Sequence, residues 1–144
     1  MRNWLLVLIS LPVLTRGAVG DTNAVARGLA WLAAQQRADG SWSENVALNS
    51  LATLAFYSAG RVDTPVTERA LALILRQQSA DGAFTTNNAL MYGHGITTLL
   101  LAESVGMTKQ SVRPALEKAV ELILRSQAVA KSDFHAGGWR YLPG

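Results

Sequence analysis

The chain has 144 residues, of which 49% are apolar and 16% charged, enough to bury the core of one modest domain. Its formal charge is +3, but an N-terminal segment that we expect to be removed carries two of the basic residues. The eleven basic and ten acidic residues that remain lack the strong positive charge of a nucleic-acid-binding protein. The absence of cysteine excludes disulfide scaffolds, thiol catalysis and cysteine-ligated zinc.

Residues 1–20 have the organisation of a secretory signal peptide. Arg2 supplies a positive charge, Trp4–Leu14 is a mainly apolar run, and Ala18–Gly20 has the small-x-small pattern of a cleavage site. The run is too short to span a bilayer, and the alternatives are an uncleaved amphipathic anchor or a chance apolar start. We therefore expect an exported mature chain, periplasmic or extracellular, with no transmembrane span.

An internal repeat dominates the rest of the sequence. The phrase QQRADGSW at 35–42 returns as QQSADGAF at 77–84, and the residues before each phrase also match. A third, more divergent copy follows. The matched positions are Arg27, Gly28, Leu29, Leu32, Ala33 and Gln36 in the first copy, Arg69, Ala70, Leu71, Ile74, Leu75 and Gln78 in the second, and Lys118, Ala119, Val120, Ile123, Leu124 and Gln127 in the third. Apolar residues at i, i+3 and i+4 with glutamine at i+7 form one face of a helix, so each copy predicts a helix of roughly 12–15 residues.

The signals that begin and end these helices agree with the periodicity. Thr64-Pro65 predicts an N-cap followed by proline in the first turn, and Asp21 or Thr22 can cap the first copy. Asp39-Gly40 and Asp81-Gly82 are turn formers that end the first two helices.

A second type of helix is predicted between the copies. Residues 46–59 and 89–105 are apolar almost all round, as expected of helices that are buried on most sides, and Gly60 and Gly106 close them. Each repeat unit is thus a striped helix, a turn with an aromatic residue, and a more apolar helix.

These features resemble the QW repeats of the prenyltransferase and squalene-hopene cyclase (terpene cyclase) superfamily. In that pattern a basic and a small residue are followed by a glutamine and then by Gly-x-Trp. The matching residues are Arg27-Gly28, Trp31-Leu32, Gln36 and Gly40-Ser41-Trp42; Arg69-Ala70, Leu73-Ile74, Gln78 and Gly82-Ala83-Phe84; and Lys118-Ala119, Leu122-Ile123, Gln127 and Gly137-Gly138-Trp139. The resemblance implies an all-α fold, an α/α toroid with an outer and an inner ring of helices. Residues 21–144 would form part of it, about two and a half helix pairs.

The resemblance also implies a structural role for the glutamines and aromatic residues, which join neighbouring repeats. The catalytic features of the family are not recognisable: there is no Asp-x-Asp-Asp acid cluster, and the zinc site of protein prenyltransferases would need a cysteine. We therefore expect an exported cyclase-like repeat protein without a catalytic acid motif in this segment, and with neither a cofactor nor a metal. The alternative is a squalene-type cyclase, an isomerase, whose catalytic residues lie beyond Gly144. A carbohydrate-active α/α barrel is a lesser option that would need paired carboxylates.

The best candidates for a site lie at the start of the second apolar helix, in NNALMYGHGI. Tyr92 and His94 are predicted to line the central cavity of the toroid, beside Asn87 and Asn88. The alternative for His94 is a polar gap near a helix end, where a backbone carbonyl satisfies the ring.

Two weaker candidates lie near the C-terminal end. Asp133 and His135 are types of residue that bind metals, but without a third ligand nearby they are better explained as an exposed loop. Trp139-Arg140-Tyr141 has the composition to hold an anion or a sugar ring. Because a complete toroid needs about six helix pairs, we expect these residues to be the N-terminal part of a longer protein, the alternative being a short chain that self-associates. The expected partner is an apolar small molecule or another protein.

Overall fold

A computed structural model describes residues 22–85 and 90–142, and all regular structure in these two ranges is helical. The elements are α1 (Thr22–Gln35), α2 (Val46–Ser58), α3 (Pro65–Arg76), α4 (Leu90–Ser104), α5 (Arg113–Ala128) and a single 3-10 turn (Asp133–His135). The predicted all-α class is therefore confirmed. The predicted signal peptide and the first candidate cap, Asp21, lie outside the described residues. Of the described helices, none combines the length and apolar character that crossing a membrane requires.

The two apolar helices form the centre of the packing. α2 and α4 share the most extensive contact, while α3 and α1 pack on α2, and α5 packs on α4. The apolar side chains of the main core cluster come from the four later helices and from the turns between them. They are Val46, Tyr57, Leu71, Ile74, Phe84, Leu100, Leu101, Val112 and Ala119. α3 buries Leu71 and Ile74 of the face that the periodicity predicted, and α1 buries Leu29. The prediction is wrong for α5, which buries Ala119, Leu122 and Ser126 and leaves Val120 and Leu124 exposed, because its buried face lies about one residue away from the predicted stripe.

The predicted signals for the start of α3 and the end of α2 are confirmed. The Thr64 hydroxyl accepts a hydrogen bond from the Thr67 backbone N–H, and Pro65 occupies the first turn. At the end of α2, Gly60 has φ +72° and its N–H donates to the Tyr57 carbonyl at 2.8 Å. The next N–H, of Arg61, reaches back to the Phe56 carbonyl at 2.9 Å, which completes a Schellman motif.

The glutamines end the striped helices in two of the three repeats. Gln36 and Gln78 lie just beyond α1 and α3, whereas Gln127 lies inside α5, which continues to Ala128. In both shorter helices an aspartate-glycine turn follows, and Gly40 and Gly82 adopt φ +96° and +94°. Few residues other than glycine adopt this backbone conformation at low cost, which is why the chain can leave the helix there.

The apolar helices are less enclosed than their composition predicts. Along α2, Leu48, Leu51 and Ala55 are exposed, and along α4 the exposed stripe includes Tyr92 and Leu99. Buried polar side chains occupy the opposite faces. The Ser50 hydroxyl of α2 and the Thr97 hydroxyl of α4, for example, lie 3.0 Å apart. Among the described residues, each apolar helix therefore has one open apolar stripe.

We predict that Gly82→Ala destabilises the protein more than Gly60→Ala. Both residues have positive φ, which costs an alanine about 1–2 kcal/mol. A Cβ at Gly82 would also lie 2.5 Å from the backbone oxygen of Lys118, whereas one at Gly60 would meet nothing within 4 Å. Urea unfolding should give a loss of about 3 kcal/mol for Gly82→Ala and about 1 kcal/mol for Gly60→Ala. Equal losses would show that the turn does not pack tightly on α5.

Candidate functional site

The first repeat is joined to the second by the side-chain amide of Gln36. Its Nε2 donates to the Gly40 carbonyl at 3.0 Å and to the Val66 carbonyl, in the first turn of α3, at 2.8 Å. Its Oε1 accepts from the guanidinium of Arg69. One side chain thus satisfies the carbonyl of its own turn and binds the beginning of the next striped helix. We call this contact, between a glutamine-ended turn and the next striped helix, a joint.

The second joint repeats the geometry of the first. Gln78 Nε2 donates to the Gly82 carbonyl at 3.1 Å and to the Ala115 carbonyl of α5 at 2.8 Å. In the third copy Gln127 Nε2 donates to the Gly137 carbonyl at 2.9 Å, so the bond within the turn is retained. The resemblance implied that these glutamines join neighbouring repeats, and Gln36 and Gln78 each bond to the next striped helix.

Where the aromatic residue two positions after the turn glycine is tryptophan, its indole N–H binds the striped helix of the same repeat. Trp42 Nε1 donates to the Leu32 carbonyl at 2.7 Å, and Trp139 Nε1 donates to the equivalent Ile123 carbonyl at 2.9 Å. The side chain of Phe84 has no N–H to donate and is instead completely buried. The first and third repeats thus share one indole hydrogen bond, which the second repeat replaces by burial.

We predict that Gln78→Ala lowers the free energy of unfolding by about 1–3 kcal/mol, because two carbonyls lose their shared donor and the contact between α3 and α5 is weakened. Gln35→Ala removes an exposed glutamine at the end of α1 and is the matched control, expected within about 0.5 kcal/mol of the wild type. Chemical denaturation of both variants tests this. A Gln78→Ala protein as stable as the control would mean that the amide contributes nothing to the joint.

His94, one of the two predicted cavity residues, lies in the core. Its ring is fully buried; Nδ1 accepts from the Phe84 backbone N–H at 3.2 Å, and Nε2 lies 3.0 Å from the Ala119 carbonyl of α5. Because Nδ1 accepts, Nε2 carries the proton and donates it, which fixes one neutral tautomer. Burial lowers the pKa of His94 and outweighs the opposite effect of the Ala119 carbonyl.

A structural equivalent of His94 exists in the first repeat, and sequence reasoning missed it. Asn49 Oδ1 accepts from the Trp42 backbone N–H at 2.9 Å, as His94 accepts from that of Phe84. Four residues later, Thr53 and Thr98 each donate a hydroxyl hydrogen bond to the carbonyl of Asn49 and His94 respectively. The signal available in the sequence was this polar residue followed by threonine at i+4, within the first turns of both apolar helices.

We predict that the folded protein loses stability as the pH falls below about 6.5. The pKa of His94 is lowered in the folded state, so the unfolded chain binds more protons below its ordinary value and acid favours unfolding. His94→Asn keeps a hydrogen-bond acceptor of the type that Asn49 provides in the first repeat. In this variant the stability should depend less on pH between about 6.5 and 5, even though the variant is less stable than the wild type at about pH 8. The exposed His135→Asn is the control and should leave the dependence unchanged. Thermal unfolding over this pH range provides the measurement, and an unchanged slope in His94→Asn would contradict the prediction.

Tyr92, the other predicted residue, lies on the open side of α4. Its side chain is 74% exposed and lines a largely apolar cavity of about 630 Å³ between the start of α4, helix α5 and the C-terminal segment. The residues that line the cavity are Met91, Tyr92, Gly95, Ile123, Trp139, Arg140 and Tyr141. The two candidate residues therefore do not share a site: Tyr92 lines the cavity, whereas His94 is buried in the core. Asn87 and Asn88 lie outside the described residues.

Two contacts hold the walls of this cavity together. The Met91 backbone N–H donates to the Tyr141 carbonyl at 2.9 Å, which places the C-terminal segment against the start of α4. The indole bond to Ile123 fixes Trp139 against α5. Opposite them, Gly95 presents no side chain, and a Cβ there would meet nothing within 4 Å. The cavity is an aromatic recess with one cation, Arg140, in its wall.

The carboxylates do not form a site in the described ranges. All of the aspartates and glutamates in residues 22–85 and 90–142 are exposed, and these ranges contain no cluster of three residues able to hold a metal ion. Asp133 and His135 lie in the exposed 3-10 turn. The pKa values of Asp39 and Asp81 are lowered, chiefly by hydrogen bonds from the hydroxyls of Ser41 and Ser79, as expected of ionised turn residues.

Comparison of the chain with models of protein families, with curated proteins and with solved structures found no match.

Proposed function

We propose that this chain is part of an exported, terpene-cyclase-like α/α-toroid repeat protein, and that it binds an apolar small molecule in the recess beside Tyr92. The observation that carries the proposal is the aromatic recess itself, which opens on the exposed side of an apolar helix. The resemblance to the cyclase repeats predicts that this side of the helix faces the central cavity.

The regular joints support the toroid part of the proposal. In both, the glutamine-ended turn contacts the first turns of the next outer helix, so successive units are related in the same way. The apolar helices α2 and α4 pack side by side, with the striped helices against them. Units that repeat one relation in this way build a curved double layer, and an inner ring of apolar helices is its expected continuation.

The chemistry of the recess favours an apolar ligand with a small polar end. Tyr92, Trp139 and Tyr141 offer ring faces and edges to hydrocarbon, and burial of each ring is worth roughly 1.5–3 kcal/mol. Arg140 supplies a donor for a hydroxyl or an anionic group at one end. A squalene-type cyclase needs a buried carboxyl as its acid, and none is present among the described residues. We therefore propose that this segment binds the ligand, and we do not propose that it protonates it.

We predict that farnesol, a C15 isoprenoid alcohol, binds the purified protein and that Tyr92→Ala weakens this binding about tenfold. The loss of one aromatic wall should cost about 1.4 kcal/mol of binding free energy. Isothermal titration calorimetry of the wild type and the variant measures both dissociation constants.

Trp31→Ala is the matched control, since Trp31 is an exposed aromatic residue of α1 that does not line the recess. It should bind farnesol like the wild type. Equal weakening in both variants, or no binding by the wild type, would contradict the proposed site. If the protein converts squalene to a cyclised product, the alternative, a cyclase with its catalytic acid beyond Gly144, would replace this proposal.

A further inference from the structure

The open side of α4 carries a glycine that the packing does not explain. Gly95 lies in the interior of the helix, where glycine is less stable than alanine, so it needs a structural or functional reason. Close packing is not the reason, because a Cβ at Gly95 would meet nothing within 4 Å in the described part of the chain. Backbone conformation is not the reason either, because Gly95 does not have the positive φ of the turn glycines.

The open side of α2 shows which residue type occupies the equivalent position when no cavity lies beside it. Both apolar helices have exposed residues at intervals of three and then four. They are Leu48, Leu51 and Ala55 in α2, and Tyr92, Gly95 and Leu99 in α4. The middle position is therefore leucine in α2 and glycine in α4. Gly95 lines the aromatic recess, and Leu51 does not, so the missing side chain coincides with the recess.

The glycine makes a notch in the surface of α4. Residues three and four apart on a helix are neighbours on its surface, so the notch lies between Tyr92 and Leu99. These two side chains are 74% and 53% exposed and form its two sides. A ligand in the recess can reach the helix backbone between them, which a leucine at this position would prevent. A methyl branch or a ring would fill the notch, whereas a straight hydrocarbon chain would leave it empty.

We propose that Gly95 determines the specificity of the recess: the ligand contacts the α4 backbone at this residue and carries a methyl branch or a ring there. The inference rests on the proposed function, because it concerns the ligand of the same recess. Three observations carry it, namely an exposed helical glycine without a packing contact, side chains at the neighbouring positions of the stripe, and the place of Gly95 in the cavity wall. Burial of one methyl group in the notch should strengthen binding about fourfold.

Two substitutions of Gly95 test the contact by separating stability from binding. Gly95→Ala should raise the thermal midpoint by roughly 3–6 °C, because alanine favours the helix and meets no other group. The same variant should bind farnesol about fourfold more weakly, and Gly95→Leu at least about tenfold more weakly. Calorimetric titration gives the dissociation constants, and circular dichroism shows whether each variant is folded.

Gly28→Ala is the matched control. Gly28 is an exposed glycine inside α1, a Cβ there would also meet nothing within 4 Å, and it does not line the recess. The control should gain similar stability and bind farnesol like the wild type. A Gly95→Leu protein that is folded and binds farnesol as tightly as the control would overturn the inference.

A second probe tests the shape of the ligand. 1-Dodecanol is a straight-chain alcohol with the main-chain length of farnesol and no methyl branches. The wild type should prefer farnesol, and Gly95→Leu should lose affinity for farnesol severalfold more than for 1-dodecanol. Equal losses for the two alcohols would overturn the inference. Farnesol binding that Tyr92→Ala weakens and Gly95→Leu does not would leave the proposed function intact and refute this inference alone, whereas a wild type that binds neither alcohol would refute both.

Discussion

The structure depends on a glutamine side chain that donates to two backbone carbonyls at once. The turn after each of these helices has a glycine carbonyl outside any helical ladder, and burying such a group unpaired is costly. In each of the two joints, one amide binds this glycine carbonyl and also a carbonyl in the first turn of the next striped helix. The turn glycines then approach the next backbone so closely that a Cβ would not fit. Successive repeats are consequently held in one relation, from which the rest of the packing follows.

A second set of hydrogen bonds connects the turns to the apolar helices. The backbone N–H of the aromatic residue in the turn needs an acceptor, and Asn49 in the first repeat and His94 in the second provide it. The cost of burying these polar side chains is offset because both ends of each side chain are bonded. This explains why helices of high apolar content carry polar residues on their buried faces and apolar residues on their open ones.

Much of the fold could be predicted from the sequence, because the signals were local. Thr64-Pro65 and Gly60 mark helix ends through neighbouring backbone groups, and the stripe that ends at Gln78 has helical periodicity. The equivalence of Asn49 and His94 was missed because an amide and an imidazole are chemically dissimilar. What they share is that each accepts a hydrogen bond from the backbone N–H of the aromatic residue in the turn. Tyr92 and Trp139-Arg140-Tyr141 were candidates separately, but the recess that they line could not be predicted, since its walls meet through long-range contacts such as Met91 with Tyr141. Similarly, composition could not show which side of an apolar helix stays open.

The change from tryptophan to phenylalanine in the second repeat links the joints to the candidate site. The Trp42 indole N–H donates to a carbonyl of α1. Asn49, which accepts from the Trp42 backbone N–H, bonds with its side chain only to residues of the loop before α2. Phe84 cannot make such a bond; it is buried and stacks on His94, with ring centroids 6.1 Å apart. The longer histidine reaches past it to Ala119 and so joins the turn, α4 and α5 through one ring. Tyr92, two residues before His94, is thereby kept on the open side of α4. His94 thus holds the turn, α4 and α5 together behind the recess, and both of its ring nitrogens are bonded within the protein.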